Sequence, residues 1–141
     1  MKKLNLVINQ HPIPQKRHRH SKWGTYDPNS KDKNIVKNII KTQSKGFYTE
    51  QPVSVMMDFK ILRPKSHYRT GKYSNMLKSD APMFHTKKPD IDNLLKFIMD
   101  CCSGIVYKDD CQVDRCSASK VYCEKGEEPR TEINIMIQEG K

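Results

Sequence analysis

No stretch of this 141-residue chain strings together the roughly 20 apolar residues that a membrane-spanning helix needs. The opening Met1-Lys2-Lys3-Leu4 carries two lysines, but Asn5, Asn9, Gln10 and His11 interrupt any signal-peptide core, so a cytoplasmic protein is expected. Paired cysteines are also missing. The five cysteines, at 101, 102, 111, 116 and 123, form no CxxC pair and no Cys/His spacing suited to zinc, so no zinc site is expected. Most of them read as reduced thiols filling core space on a helix and a strand. Acids are the third shortage: 16 Asp and Glu against 26 Lys and Arg leave a formal charge of +10. Such an excess points to a polyanionic partner, nucleic acid first, although a merely soluble cationic surface satisfies charge alone. With hydrophobic residues at 35% and charged ones at 30%, the chain has material for one modest core, accompanied by long solvated segments or an oligomer interface.

Periodicity places the elements. Leu4, Leu6 and Ile8 alternate along a first strand, Lys3 to Ile8. A segment at about 11–26 follows, broken by Pro12, Pro14 and Gly24. It carries Lys16, Arg17, Arg19, Lys22 and three histidines, with no acid before Asp27. Asp27-Pro28 suits a helix start, and Ile35, Val36, Ile39 and Ile40 repeat at helical spacing, which predicts a helix over roughly 28–43. Val53, Val55, Met57, Phe59 and Ile61 mark a half-buried strand. From 63 to 88 the pattern dissolves into a basic segment with Arg63, Lys65, Arg69, Lys72, Lys78, Lys87 and Lys88 against the single acid Asp80. A patternless segment of this length is either functional or disordered. After Pro89, Leu94, Leu95, Ile98, Met99 and Cys102 form the stripe of a helix of about three turns, ended by Ser103-Gly104. Strands near 112–123 and 131–138 complete the order. The expected fold is a single small α/β (α+β) domain with two main helices and a mixed, mostly antiparallel sheet.

The chemically informative stretch is Lys87-Lys88-Pro89-Asp90-Ile91-Asp92-Asn93-Leu94-Leu95-Lys96. Asp90 and Asp92 are two apart where the chain is still extended, so their carboxylates can converge, and Lys96 lies one turn beyond Asp92 on the same helix face. Asp110 follows on a later turn, and it joins them if that turn doubles back to the helix entry. Three close carboxylates repel unless a cation neutralises them, and hard oxygen donors favour Mg²⁺, with Mn²⁺ as a substitute. A divalent ion also reconciles an acidic cluster with a cationic shell, because it bridges carboxylates to a phosphate oxygen and activates water. Plainer readings stand beside this one. Asp90 or Asp92 can simply cap the helix, Asp92 with Lys96 can be a surface pair, and Asp109-Asp110 can be an ordinary turn.

At these residues the chain resembles a known family. Lys88-Pro-Asp-Ile-Asp-Asn-Leu-Leu-Lys96, with Val106-Tyr-Lys-Asp-Asp-Cys-Gln-Val113, resembles the signature of the RusA-type Holliday junction resolvases, and Pro14-Gln-Lys-Arg-His-Arg19 with Gly24-Thr-Tyr26 is similar to that family's basic loop. The resemblance implies a homodimer that resolves four-way DNA junctions by magnesium-dependent paired nicks in recombination and repair, working in the cytoplasm at the nucleoid. It implies that Asp90, Asp92 and Asp110 bind the metal, that Lys96 is the catalytic lysine, and that Asn93 and Asp109 support them. Where the family often has a basic residue before the first aspartate, this chain has Pro89, so Lys88 or Lys87 is expected to take the DNA contact. Lys16, Arg17, Arg19, Lys22, Arg63, Lys65 and Arg69 are the expected phosphate contacts. Trp23, Tyr68, Tyr73 and Phe84 are candidate stacking platforms, although the commoner role for each is a loop anchor packed on its neighbours. A broader branched-DNA or flap nuclease, and a non-catalytic basic DNA-binding module, are the competing functions.

Overall fold

The computed structural model describes residues 2–140. Its main sheet holds β1 (Lys3–Ile8), β4 (Val53–Ile61), β5 (Val113–Tyr122) and β6 (Arg130–Ile137) in the order β1-β6-β4-β5. β6 runs antiparallel to both β1 and β4, whereas β4 and β5 are parallel. The sheet is therefore mixed and mostly antiparallel, in a single α+β domain. Alternation decides which face is buried: Leu4, Leu6 and Ile8, then Val53, Val55, Met57 and Phe59, then Thr131, Ile133 and Ile135 all point into the core. α1 (Ser30–Ser44) lies against β1 and α2, and α2 (Ile91–Cys102) lies against β5. They contribute Val36 and Ile40, and Leu94, Phe97, Ile98, Cys101 and Cys102.

Local chemistry moves several boundaries. α1 starts at Ser30, two residues later than Pro28, because Asp27 builds a turn ahead of it. Its carboxylate accepts from the Asn29 amide at 2.9 Å and its carbonyl accepts from the Ser30 amide. Asn29 is fully buried and spends its side chain elsewhere, accepting from the Lys16 amide at 2.7 Å and donating to the Pro14 carbonyl. Ile35 faces solvent, whereas Val36 and Ile40 are buried and Ile39 packs partly buried against the core. At the end of α2, Gly104 takes the positive φ (82°) expected of it. Among the cysteines, 101, 102 and 123 are buried and 111 and 116 are exposed. Burial pushes the Cys101 thiol up to about 12, so it stays protonated in the core.

Two features depart from the periodic reading. Within the first basic segment, β2 (Arg19–Ser21) and β3 (Gly24–Tyr26) pair as a short antiparallel ribbon on which every residue is exposed. The second basic segment is folded. It makes 3-10 turns at Lys65–His67 and Gly71–Tyr73 and closes on itself through Arg69 N to Met76 O and Lys78 N to His67 O. Tyr122, the last residue of β5, supplies the surface that orders it. The Arg63 guanidinium stacks 4.4 Å from the ring centroid, and the rings of His67 and His85 meet it at 5.3 and 4.9 Å.

Candidate functional site at the entry to the second helix

Asp90 is the residue from which α2 starts, with extended backbone (φ −72°, ψ 143°). Its carboxylate makes no capping hydrogen bond, so the simple-cap reading does not describe it. Asp92, in the first turn, accepts from the neighbouring Asn93 amide and stands 3.9 Å from the Lys96 ammonium. Both partners are about two-thirds exposed, at 65% and 63%, so the pair stabilises the helix by no more than a few tenths of a kcal/mol. Two carboxylates and a lysine thus stand at a helix N-terminus, with Asp90 free of backbone donors.

A cleft of about 620 Å³ opens beside them, lined by Pro14, Gln15, Lys16, Lys88, Pro89, Asp90 and Asn93. One wall is the arm leading into the ribbon. It is docked on the helix by the Gln15 amide, which donates to the Asn93 carbonyl at 2.8 Å. Asn93 therefore holds the helix entry through its backbone. The side-chain oxygen of Gln15 is buried without a hydrogen-bond partner. The other wall carries Lys88 into the cleft, while Lys87 turns its carbonyl toward β5. There the Lys120 ammonium donates to the carbonyls of Lys87 (2.6 Å) and Pro89 (2.9 Å). Gln15 lies within the resembling segment Pro14–Arg19, where its residue type alone marks no role. Nothing in the sequence distinguished Lys120, because its partners are backbone atoms.

Asp110 does not join this group within one chain. It begins a 3-10 turn (Asp110–Gln112) and accepts a hydrogen bond from the hydroxyl of Ser103, the residue that ends α2. A 12-residue helix spans ~18 Å, so Asp110 is held at the opposite end of α2 from Asp90 and Asp92. The expectation that the turn doubles back to the helix entry is corrected on this point. Among the described residues, no group of three His, Cys, Asp or Glu side chains is gathered closely enough to hold a metal ion. The turn is fixed by a capping box in which Asp109 accepts from the Cys111 amide and Gln112 accepts from the Asp109 amide. The Gln112 amide group also donates to the carbonyls of Thr49 and Gln51.

The cationic residues divide. Arg17, Arg19 and Lys22 are exposed on or beside the ribbon, and Lys65 and Arg69 on the folded second basic segment (63–88), the strap. Arg63 is half-engaged inside, stacked on Tyr122 and donating to the Pro82 carbonyl. Trp23, 85% exposed at the ribbon tip beneath the Lys22 ammonium, and Phe84, 73% exposed, are not packed anchors. Tyr68 is half-buried against Lys125. Among the described residues no helix is long and apolar enough to cross a membrane.

A basic α+β domain with an uncapped carboxylate beside a lysine-lined cleft has the surface chemistry of proteins that handle a phosphate backbone. The chain matches the family described as Endodeoxyribonuclease RusA over residues 9–136, and it belongs to that family. That family comprises divalent-metal-dependent endodeoxyribonucleases that bind branched DNA junctions. The chain is also similar to a protein of Bacillus subtilis (strain 168) that carries the name Uncharacterized protein YqaN, 37% identical over 82 residues. That stretch covers 57% of this chain and 56% of YqaN, so the chain spans little more than half of that relative.

Proposed function

We propose that this protein is a magnesium-dependent endonuclease that resolves four-way DNA junctions by paired nicks, as a homodimer serving recombination and repair at the nucleoid. The observation that carries the reading is the uncapped Asp90 carboxylate, with Asp92 in the first turn of α2 and Lys96 one turn beyond it, at the mouth of a cleft walled by Lys16 and Lys88. An uncapped carboxylate in a cationic setting has no structural task, whereas as a ligand it has one. The donor set is oxygen only, which fits Mg²⁺ or Mn²⁺ and not zinc. A divalent cation held there supplies charge neutralisation at a phosphate oxygen and an acidified water. Lys96 offsets charge on the phosphate under attack. Lys16, Lys88 and the exposed cations of ribbon and strap hold the flanking backbone.

One chain offers Asp90 and Asp92 and carries Asp110 at the far end of α2, so the third carboxylate comes from a second copy. A two-fold arrangement that sets the turn of one protomer against the helix entry of the other builds two identical sites at once. That number matches the two symmetry-related phosphates of a four-way junction. Cleavage of a labelled four-way junction, a fork and a linear duplex by wild type and Asp92→Asn tests the assignment. The expected result is Mg²⁺-dependent nicking of the junction, lost in Asp92→Asn while junction binding holds or tightens. Equal cutting of linear duplex contradicts junction specificity, and undiminished nicking by the variant contradicts the metal role.

A further inference from the structure

The backbone just ahead of Asp90 is gripped from one side by a single residue of another element. Lys120 lies half-buried on β5, the edge strand of the sheet, opposite Phe59 of β4. Its ammonium donates to the carbonyls of Lys87 and Pro89, at 2.6 and 2.9 Å. An ammonium carries three donors and no acceptor, so one Lys120 can hold both carbonyls and constrain the orientation of the segment between them. The hold is reinforced two residues along β5, where Tyr122 packs against Arg63, His67 and His85 of the strap. On the other side, the Gln15 amide grips the Asn93 carbonyl. The residues from 87 to 93, which include both aspartates, thus run between two fixed clamps. Of the two, Lys120 is the one that acts directly before Asp90.

We propose that Lys120 is a positioning residue. By holding the carbonyls of Lys87 and Pro89 it fixes the direction in which Asp90 and Asp92 leave the backbone, and it thereby sets divalent-metal affinity rather than DNA affinity. The inference rests on the metal-dependent reading given above. Groups that orient ligands from behind change metal affinity by roughly 10- to 100-fold when lost.

The test compares Lys120→Met and Lys120→Arg with wild type by three readouts: hydrogen exchange of the peptide spanning 88–94, the Mg²⁺ midpoint for junction cleavage, and junction affinity without metal. Lys120→Met is expected to speed exchange of that peptide and to raise the Mg²⁺ midpoint about tenfold, with metal-free junction affinity within about twofold. Lys120→Arg, which keeps charged donors, is expected to recover most of both effects. Unchanged exchange and midpoint in Lys120→Met overturn the proposal. So does weakened metal-free binding with a salt dependence reduced by about one phosphate contact, because that marks Lys120 as a direct DNA contact. Should Lys120→Met fail to fold, Lys120→Gln keeps a single donor group and the same three readouts decide. If wild type cleaves no junction, the nuclease reading fails by itself, and the exchange measurement still decides whether Lys120 orders the helix entry.

Discussion

At the scale of single residues, exposure and hydrogen-bond partners separate groups that look alike in sequence. Asp27, Asp90, Asp92 and Asp109 all lie near the start of a helix or turn. Asp27 and Asp109 are spent on local amides, and Asp27 also pairs with the buried Lys33. Asp90 is left without a cap. The Asp92–Lys96 pair was legible because a four-residue spacing on a helix leaves little geometric freedom. Lys120 was not, since a side chain that serves backbone carbonyls leaves no pattern among side chains. His85 supplies a residue-scale prediction. It is buried with an unpartnered ring nitrogen, and burial, followed by the charge of Lys120, lowers its pKa below the usual histidine value of 6.5. The neutral ring is therefore favoured in the fold. On acidification the unfolded chain takes up this proton first, so the stability His85 contributes is present above pH ~6.5 and is lost as pH falls through its lowered folded value. Asp27 and Glu127, whose pKa values are also lowered, lose their contributions only below their ordinary values of 3.8 and 4.5. Urea unfolding at pH 7 and pH 5 should show wild type losing stability over that interval and His85→Phe losing less. Equal losses contradict this role for His85.

At the scale of elements, burial made the fold readable. The strands at 3–8, 53–61 and 130–137 each alternate core and solvent positions, and both helices carry a core-facing stripe. The β2–β3 ribbon could not be read in that way, because with every residue exposed it has no alternation to betray it. Its base is nonetheless fixed, by Asn29 to Pro14 and Lys16, by Gln15 to Asn93, and by the Lys33 ammonium to Asp27 and Asp100. A two-stranded ribbon without a core is marginal by itself, and we propose that this anchored, cationic one, tipped with an exposed tryptophan, meets the DNA. Trp23 is the chain's only tryptophan, which makes its fluorescence a clean reporter. Quenching is expected when a four-way junction binds, and Trp23→Ala should weaken junction binding by about 1–3 kcal/mol, the range of base–aromatic stacking. Unaltered emission together with unaltered affinity would remove the ribbon tip from the DNA interface.

At the scale of the whole molecule, the sequence pattern singles out Asp90, Asp92 and Asp110 but does not fix their placement. The two-residue spacing of Asp90 and Asp92 reads as extended chain, but only Asp90 keeps extended backbone and Asp92 already lies in the first turn of α2. The position of Asp110 depended on where a turn 18 residues beyond Asp92 would settle, and Gln112 pins that turn to the loop before β4, at the far end of α2. Among the described residues nothing closes that gap; in the arrangement we propose, a second copy related by a two-fold axis closes it twice over. The formal charge of +10 fits the proposed function, and binding to a branched DNA should weaken steeply with salt.

The central claim, a carboxylate site shared between two protomers, is tested most directly by mixing two inactive proteins. Asp92→Asn and Asp110→Asn are each assayed alone on a four-way junction with Mg²⁺, then after subunit exchange. Each variant alone should be inert. The mixed dimer should regain nicking, because one of its two sites combines the intact Asp92 of one protomer with the intact Asp110 of the other. A mixture that stays as inert as its parents, beside an active wild type, contradicts a site built from two copies. Nicking by either variant alone contradicts the assignment of that carboxylate.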